Sequence, residues 1–422
     1  MDKYRKRIAD DILDLKLKSF GATLIVGPKG CGKTTTAKQK AKSVIEFQDE
    51  DLRERYLSVA ETMPSKLLIG ETPRLFDEWQ DAPKIWGAIR KSIDDKNESG
   101  LYILTGSSSQ DVKTPHTGTT RISTLKMYPM SLYESGESNG KISLLELFNT
   151  KELDFVESNL SIDGLIFSIC RGGWPWATLV PEGVALDQAF DYFDSVVNYD
   201  IQRVDKVKRS AERTKLLLRS YARNIAQQVS MATIRKDMLA NDSSTLDENT
   251  VVDYIKALKK LYVIEDLPAW NPNIRSKAAI RTSDTRHFVD PSVGTAALGL
   301  GPKDLINDLQ SFGLLFEDLV VRDLRVYAET LDGSLYHYRD SNGLECDAVL
   351  HRRNGSYALL EVKLGGEERI EEGAKNLKDL ESKIDTERML APSFLAVVVG
   401  VGQYAYQRKD GVYVLPISCL KD

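Results

Sequence analysis

The chain has 422 residues, of which 42% are hydrophobic and 28% charged, with a formal net charge of −5. The length argues for two or three domains, and the balance is that of an ordinary folded chain. The mild negative charge counts against a protein that coats nucleic acid non-specifically but leaves room for a local basic groove.

No apolar run reaches the length of a membrane span, so no membrane partner is expected. The charged start, Met1-Asp2-Lys3-Tyr4-Arg5-Lys6-Arg7, is followed by no apolar secretory core. Cys31, Cys170, Cys346 and Cys419 are scattered, as are the four histidines, and neither set has zinc spacing. A reducing cytoplasm is the expected location.

Ile8, Ile12, Leu15 and Leu17 stand among charges and predict an amphipathic helix over residues 3–18. The apolar run Ala22-Thr23-Leu24-Ile25-Val26 reads as a buried strand. It leads into Gly27-Pro28-Lys29-Gly30-Cys31-Gly32-Lys33-Thr34-Thr35, which matches G-x-x-x-x-G-K-[ST] in full. Thr36 to Lys42 reads as the helix that follows. Strand, glycine loop and helix together predict a site for a nucleoside triphosphate. Backbone N–H groups close around phosphate where no Cβ intervenes, and the helix N-terminus adds its positive end. Lys33 is expected to reach the β- and γ-phosphates and Thr34 to hold Mg²⁺.

Arg74-Leu75-Phe76-Asp77-Glu78-Trp79-Gln80 reads as a second phosphate-side strand. Asp77 at its end would bind Mg²⁺ and Glu78 would deprotonate the attacking water. Residues 101–104 form a further buried strand followed by Thr105 and Ser107. Hydroxyls at the carboxyl end of a parallel strand can face the γ-phosphate. Arg121 offers positive charge to a transition state, in its own site or a neighbour's.

These pieces, with Tyr128-Pro129-Met130-Ser131-Leu132-Tyr133-Glu134 after them, resemble in order and spacing an AAA-type ATPase family of bacteria and archaea. In that family the ATPase is fused to a C-terminal domain of PD-(D/E)xK nuclease type. The resemblance implies that Asp77 and Glu78 are the Walker B pair and that Ser107 is near the sensor-1 position. It also implies that Arg121 senses nucleotide or serves as a finger; a finger acting in trans would demand a homo-oligomer.

In the middle of the chain, Arg171-Gly172-Gly173-Trp174-Pro175 reads as a turn with an aromatic anchor and is given a structural role. It resembles the signature that follows the ATPase in the same family. From Leu186 the pattern is helical. Thr233 to Leu239, the turn 242–245 and Thr250 to Leu261 predict helix, turn, helix, with Val263 to Leu267 as a wing strand. The second helix opens with Leu246-Asp247-Glu248-Asn249, whose acids suit helix capping and repel phosphate. A protein–protein or interdomain role is therefore expected of this winged-helix-like unit rather than DNA reading. Phe288-Val289-Asp290-Pro291 reads as a short strand ending in Asp.

The last part carries Glu317 on the apolar helix Gly313 to Val321, then strands Leu344 to Leu350 and Tyr357 to Lys363 around Arg353-Asn354-Gly355. Glu361 and Lys363 share a face. A two-residue loop would set Asp347 opposite Val362, on the wrong face. A three-residue loop with Gly355 in the left-handed conformation sets Asp347 opposite Glu361, and this register is expected. Asp347 and Glu361 would be hard oxygen ligands for Mg²⁺, with Lys363 beside the reacting water. Glu317, Asp347, Glu361 and Lys363 resemble the PD-(D/E)xK set, with Cys346 where the proline would stand.

The expected architecture is thus α/β throughout: an AAA-type P-loop ATPase over 1–150, a helical winged-helix-like middle over 151–300, and a PD-(D/E)xK nuclease-like domain over 301–422. ATP and Mg²⁺ are the expected cofactors, and DNA or RNA is the expected partner of the last domain. Two readings follow: ATP hydrolysis controlling a nuclease, or an ATP-gated regulatory or scaffold protein whose final domain binds without cutting.

Overall fold

The computed structural model describes residues 4–107, 120–150, 153, 155–205, 207–240, 246–272 and 283–422. The expected turn at 242–245 lies outside them. The chain divides into two compact units. The first comprises residues 1–129 with the short segments 202–207 and 257–262, and the second comprises the remainder.

In the first unit, Ala22–Val26 (β1), Ser43–Glu46 (β2), Arg74–Asp77 (β3), Tyr102–Gly106 (β4) and Ile122–Lys126 (β5) form a parallel sheet in the order β2-β3-β4-β1-β5. Both neighbours of β1 are therefore later strands, and β4 separates it from β3. Residues of β4 are buried throughout because helices cover both faces of such a sheet. Phe76, Trp79, Ile85, Trp86, Ile89 and Tyr102 build the core on one side. The expected N-terminal helix is Ile8–Ser19, and the helix after the glycine loop is Lys33–Lys40.

In the second unit, Ile142–Ser143 (β6) pairs with Leu420–Lys421 (β14). A seven-stranded sheet contains Val156–Glu157 (β7), Gly333–Arg339 (β8), Glu345–Arg352 (β9), Tyr357–Lys363 (β10), Phe394–Val399 (β11), Tyr404–Gln407 (β12) and Tyr413–Pro416 (β13). Its order is β7-β12-β13-β11-β10-β9-β8. The helix Leu309–Thr330 packs on β8, β9 and β10, and the helix Glu367–Lys383 on β9, β10 and β11. Ala374, Leu377 and Leu380 of the latter meet Leu359, Val397 and Val414 in one apolar cluster.

Residues 130–150 sit in this second unit rather than in the first. The physical cause is pairing. Ser138 Oγ donates to Leu420 O at 2.6 Å, and Ile142 lies opposite Leu420.

The turn at 171–175 is tied into a buried polar hub, as a structural role requires. Gly173 N–H donates to Asp290 Oδ2 at 2.9 Å and Trp174 Nε1–H to Ser292 Oγ at 3.0 Å. Arg322 donates to Asp290 Oδ2 at 3.0 Å and, through Nη2, to Asp323 Oδ1 at 2.7 Å. A Cβ on Gly173 would fall 2.1 Å from Met130 O, so only glycine fits. The expected strand at 288–291 is replaced. Asp290 caps the helix Pro291–Leu298, its carboxylate accepting from Ser292 N–H, and Phe288 makes only an isolated antiparallel bridge to Ile264. A second bridge joins Leu267 to Thr285. The helices Met231–Leu239 and Glu248–Lys260 precede this pairing.

Candidate functional site

Gly27 to Thr35 leaves the carboxyl end of β1, where a parallel sheet presents its ligand-binding edge. Gly30 and Gly32 have φ of 80° and 101°, which a side chain resists, and a Cβ on Gly27 would lie 2.0 Å from Met127 O. Cys31 is buried, while Lys29, Gly30 and Thr35 are exposed. Pro28 and Lys33 are buried, and the Lys33 ammonium donates to Gly27 O at 3.0 Å and Pro28 O at 2.8 Å.

The sheet order carries the expected acidic pair to this loop. Thr34 Oγ1 donates to Asp77 Oδ1 at 2.6 Å, and Thr105 Oγ1 donates to the same oxygen at 2.5 Å. Two hydroxyls and a carboxylate therefore meet, a hard-oxygen set that fits Mg²⁺. Glu78 follows in the left-handed conformation at φ 53°. Its N–H donates to Thr105 Oγ1 at 3.3 Å, and its Oε1 accepts from Ser107 Oγ at 2.5 Å. Ser107 N–H and Gln80 Nε2 both donate to Glu78 Oε2. Sequence reasoning passed over Gln80. Its only signal was its place two residues beyond Glu78.

Arg121 is not part of this cluster. Its carbonyl accepts from Ala22 N–H at 3.1 Å, at the entry of β1, and its Nε donates to Asp94 Oδ1 at 2.7 Å. Because β5 runs parallel to β1, the residue before β5 lies a full strand, about 16 Å, from the phosphate loop. A role in its own nucleotide site is corrected accordingly.

In the second unit, the hairpin adopts the three-residue loop. Arg352 N–H donates to Ser356 O at 2.8 Å, and Gly355 has φ of 88°. The pairs run from Tyr357↔His351 to Leu360↔Ala348, so the next step sets Glu361 opposite Asp347. There the backbone ladder gives way, and Val362 N–H donates to Asp347 Oδ2 at 2.8 Å. Lys363 Nζ lies 2.6 Å from Glu361 Oε2 and 3.5 Å from Asp347 Oδ2. Cys346 points elsewhere, its thiol against Ala348 O and Leu360 O, and burial pushes its pKa well up.

Burial, and after it the Asp347 charge, raise the carboxyl groups of both Glu361 and Glu317 well above their ordinary range. Burial works against the Lys363 ammonium, but Asp347 and Glu361 overcome it and hold the group protonated. The structure thus brings Glu317, Asp347, Glu361 and Lys363 within one electrostatic neighbourhood. Glu361 is fully buried and neither of its oxygens has a hydrogen-bond partner, Lys363 being its ion pair. With no hydrogen bond to either oxygen, this buried carboxylate takes its compensation from a cation, here the Lys363 ammonium. Among the described residues, however, no three His, Cys, Asp or Glu side chains stand placed to hold one ion together.

Residues 19–136 match the family described as an AAA domain. Residues 162–304 and 312–420 match two domains of unknown function, designated DUF8612 and DUF4143. The first unit accordingly has the fold of an AAA-type P-loop ATPase. No curated protein matches the chain. Among solved structures, the Walker-type ATPase PABY2304 of Pyrococcus abyssi is 16% identical, with a TM-score of 0.43, over 70% of this chain and 96% of that one. The Aeropyrum pernix Orc1 protein in complex with DNA is 13% identical, with a TM-score of 0.26, over 70% and 93% respectively. Among the described residues, no helix is long and apolar enough to cross a membrane.

Proposed function

We propose that this chain is a cytoplasmic ATPase whose Mg²⁺-dependent binding and hydrolysis of ATP control a nuclease-like C-terminal domain acting on DNA or RNA. The meeting of Thr34, Asp77 and Thr105 beside the phosphate loop, with Glu78 next in the chain, carries the reading. The loop N–H groups would hold the phosphates, and Lys33 would exchange its two carbonyl partners for phosphate oxygens. Thr34 and Asp77 would hold Mg²⁺, which neutralises phosphate charge when bound. Glu78 would take the proton of the attacking water, oriented by Ser107 and Gln80. Arg121, at the far edge of the sheet, would serve a neighbouring copy, which makes the working form a homo-oligomer.

In the C-terminal domain Asp347 and Glu361 would hold Mg²⁺, which supplies an acidified water at the scissile phosphodiester. Glu317 would complete the acidic neighbourhood, and Lys363 would steady developing negative charge. The helices and antiparallel pairing of the middle segment are assigned to a winged-helix-like unit facing protein. One observation favours a second reading, an ATP-gated scaffold whose last domain binds without cutting. The Lys363 ammonium already lies between Glu361 and Asp347.

Cleavage of single- and double-stranded DNA and of RNA, with Mg²⁺ and ATP, separates the two readings. The nuclease reading expects wild-type cleavage that Asp347→Ala and Lys363→Ala abolish while ATP hydrolysis persists. Cleavage absent alike from wild type and variants on every substrate leaves the scaffold.

A further inference from the structure

Arg7 stands immediately before the first helix and is 4% exposed. A buried guanidinium must find acceptors for its donors. Two of them are main-chain carbonyls far apart in sequence. Nη1 donates to Cys31 O, inside the phosphate loop, at 2.8 Å, and Nη2 donates to Tyr128 O at 2.9 Å.

A phosphate loop works by turning N–H groups inward, which turns carbonyls outward. An outward carbonyl that is buried needs a donor from the protein. Arg7 supplies it at Cys31. The planar fork of arginine can serve two carbonyls at once in a fixed geometry, which the single ammonium of lysine does not reproduce.

The surrounding contacts tighten the same joint. Arg7 N–H donates to Asp10 Oδ2 at 2.7 Å, and Asp10 Oδ2 also accepts from Tyr4 Oη at 2.8 Å. Tyr4 Oη meets Thr36 Oγ1 at 3.0 Å, and Thr36 is buried in the helix that continues the loop. On the other side, Cys31 Sγ lies 3.7 Å from Met127 O, and Gly27 has no room for a Cβ against that same carbonyl. The loop, Arg7 and residues 127–128 are therefore in continuous contact. Pro129, next in the chain, is where the first unit's main segment ends.

We infer that Arg7 is a positioning residue of the nucleotide site and the strut that couples occupancy of the phosphate loop to Tyr128, where the chain leaves the N-terminal unit. This rests on the ATP reading above and adds its regulation. The coupling is reciprocal, so restraint imposed on Tyr128 alters nucleotide affinity by the factor with which nucleotide restrains Tyr128.

The test uses the full chain. Binding of a fluorescent ATP analogue with Mg²⁺ is measured for wild type, Arg7→Lys, Arg7→Gln and Lys33→Ala. Thermal melting is recorded for each, as is amide exchange of Met127 and Tyr128 with and without nucleotide. Both Arg7 variants are expected to bind about tenfold or more weakly, because charge-assisted bonds to the loop are lost. Lys keeps the charge, so its loss of affinity isolates the fork geometry. In wild type, nucleotide slows exchange at 127–128, and in the Arg7 variants it no longer does. A merely structural role would shift melting and leave this split untouched.

Affinity within about twofold of wild type in both Arg7 variants overturns the inference. So does wild-type exchange at 127–128 that saturating nucleotide leaves unchanged, a result that needs no variant. If Lys33→Ala loses binding while the Arg7 variants keep it, the strut fails and the ATP reading stands. If the folded wild type binds no nucleotide, the ATP reading fails and the strut with it.

Discussion

Glu78 holds an uncommon backbone conformation while Ser107 and Gln80 bind its carboxylate, and such strain concentrates at working sites. If it is the general base, Glu78→Gln keeps ATP affinity and lowers phosphate release by about 10²–10⁴-fold. Equilibrium binding and single-turnover release, measured on the same sample, check this. His337 gives a second prediction. Its Nδ1 meets Gln228 Nε2 at 3.1 Å and its Nε2 meets Ser283 O at 2.9 Å, an arrangement that needs the neutral ring. Burial pushes its pKa down to about 4. The unfolded chain takes a proton at about pH 6.5 and the native ring does not, so stability is whole above that pH. It falls as the pH drops from there toward 4. Urea midpoints at pH 7 and pH 5 should differ more for wild type than for His337→Gln. At this scale Lys33, Thr34, Asp77 and Glu78 were legible because each sits at fixed spacing within one strand and its loop. Arg7 was not, since its partners come from residues 31 and 128, and Gln80 was not, since nothing in its spacing tells that its amide turns back to the Glu78 carboxylate.

Strand polarity and register decide what an element contributes. Residue order alone leaves open whether Arg121 serves its own site or a neighbour's; the parallel pairing of β5 with β1 puts it at the other end of the sheet. The hairpin went the opposite way, because loop length and a glycine at its αL position define the register before any tertiary contact is known. Gly355 has open space around it, the nearest atom to an added Cβ being Leu390 Cδ1 at 3.9 Å. Gly355→Ala should therefore cost about 1 kcal/mol through the backbone alone and leave the carboxylate cluster in place. Asp347→Ala is a different perturbation. It leaves the hairpin register alone and removes the carboxylate that stands opposite Glu361. Calorimetric Mg²⁺ binding should survive the first change and vanish with the second, while circular dichroism shows both chains folded. Equal Mg²⁺ binding in the two would remove Asp347 and Glu361 as a joint site.

Three parts are expected from the sequence, over 1–150, 151–300 and 301–422, whereas compactness yields two units. The difference lies in segments whose partners are distant in sequence, which local patterns do not reveal. Residues 257–262 belong to the first unit, where Tyr262 receives Lys126 Nζ at 5.6 Å from its ring. Residues 130–150 belong to the second, where Leu132, Leu144 and Leu147 are buried and β6 pairs with the chain's end. A fragment 1–150 would thus expose three leucines meant for another core and lack two segments of its own. Each stranded leucine forgoes about 2 kcal/mol of burial and adds apolar surface that favours association. The fragment 1–129 removes the first fault and keeps the second. Light scattering should find 1–150 aggregated and 1–129 soluble, with 1–129 melting below the full chain. Binding of a fluorescent ATP analogue to 1–129 then tells whether the phosphate loop and its Arg7 contacts suffice, or whether 202–207 and 257–262 are needed to hold the nucleotide unit together.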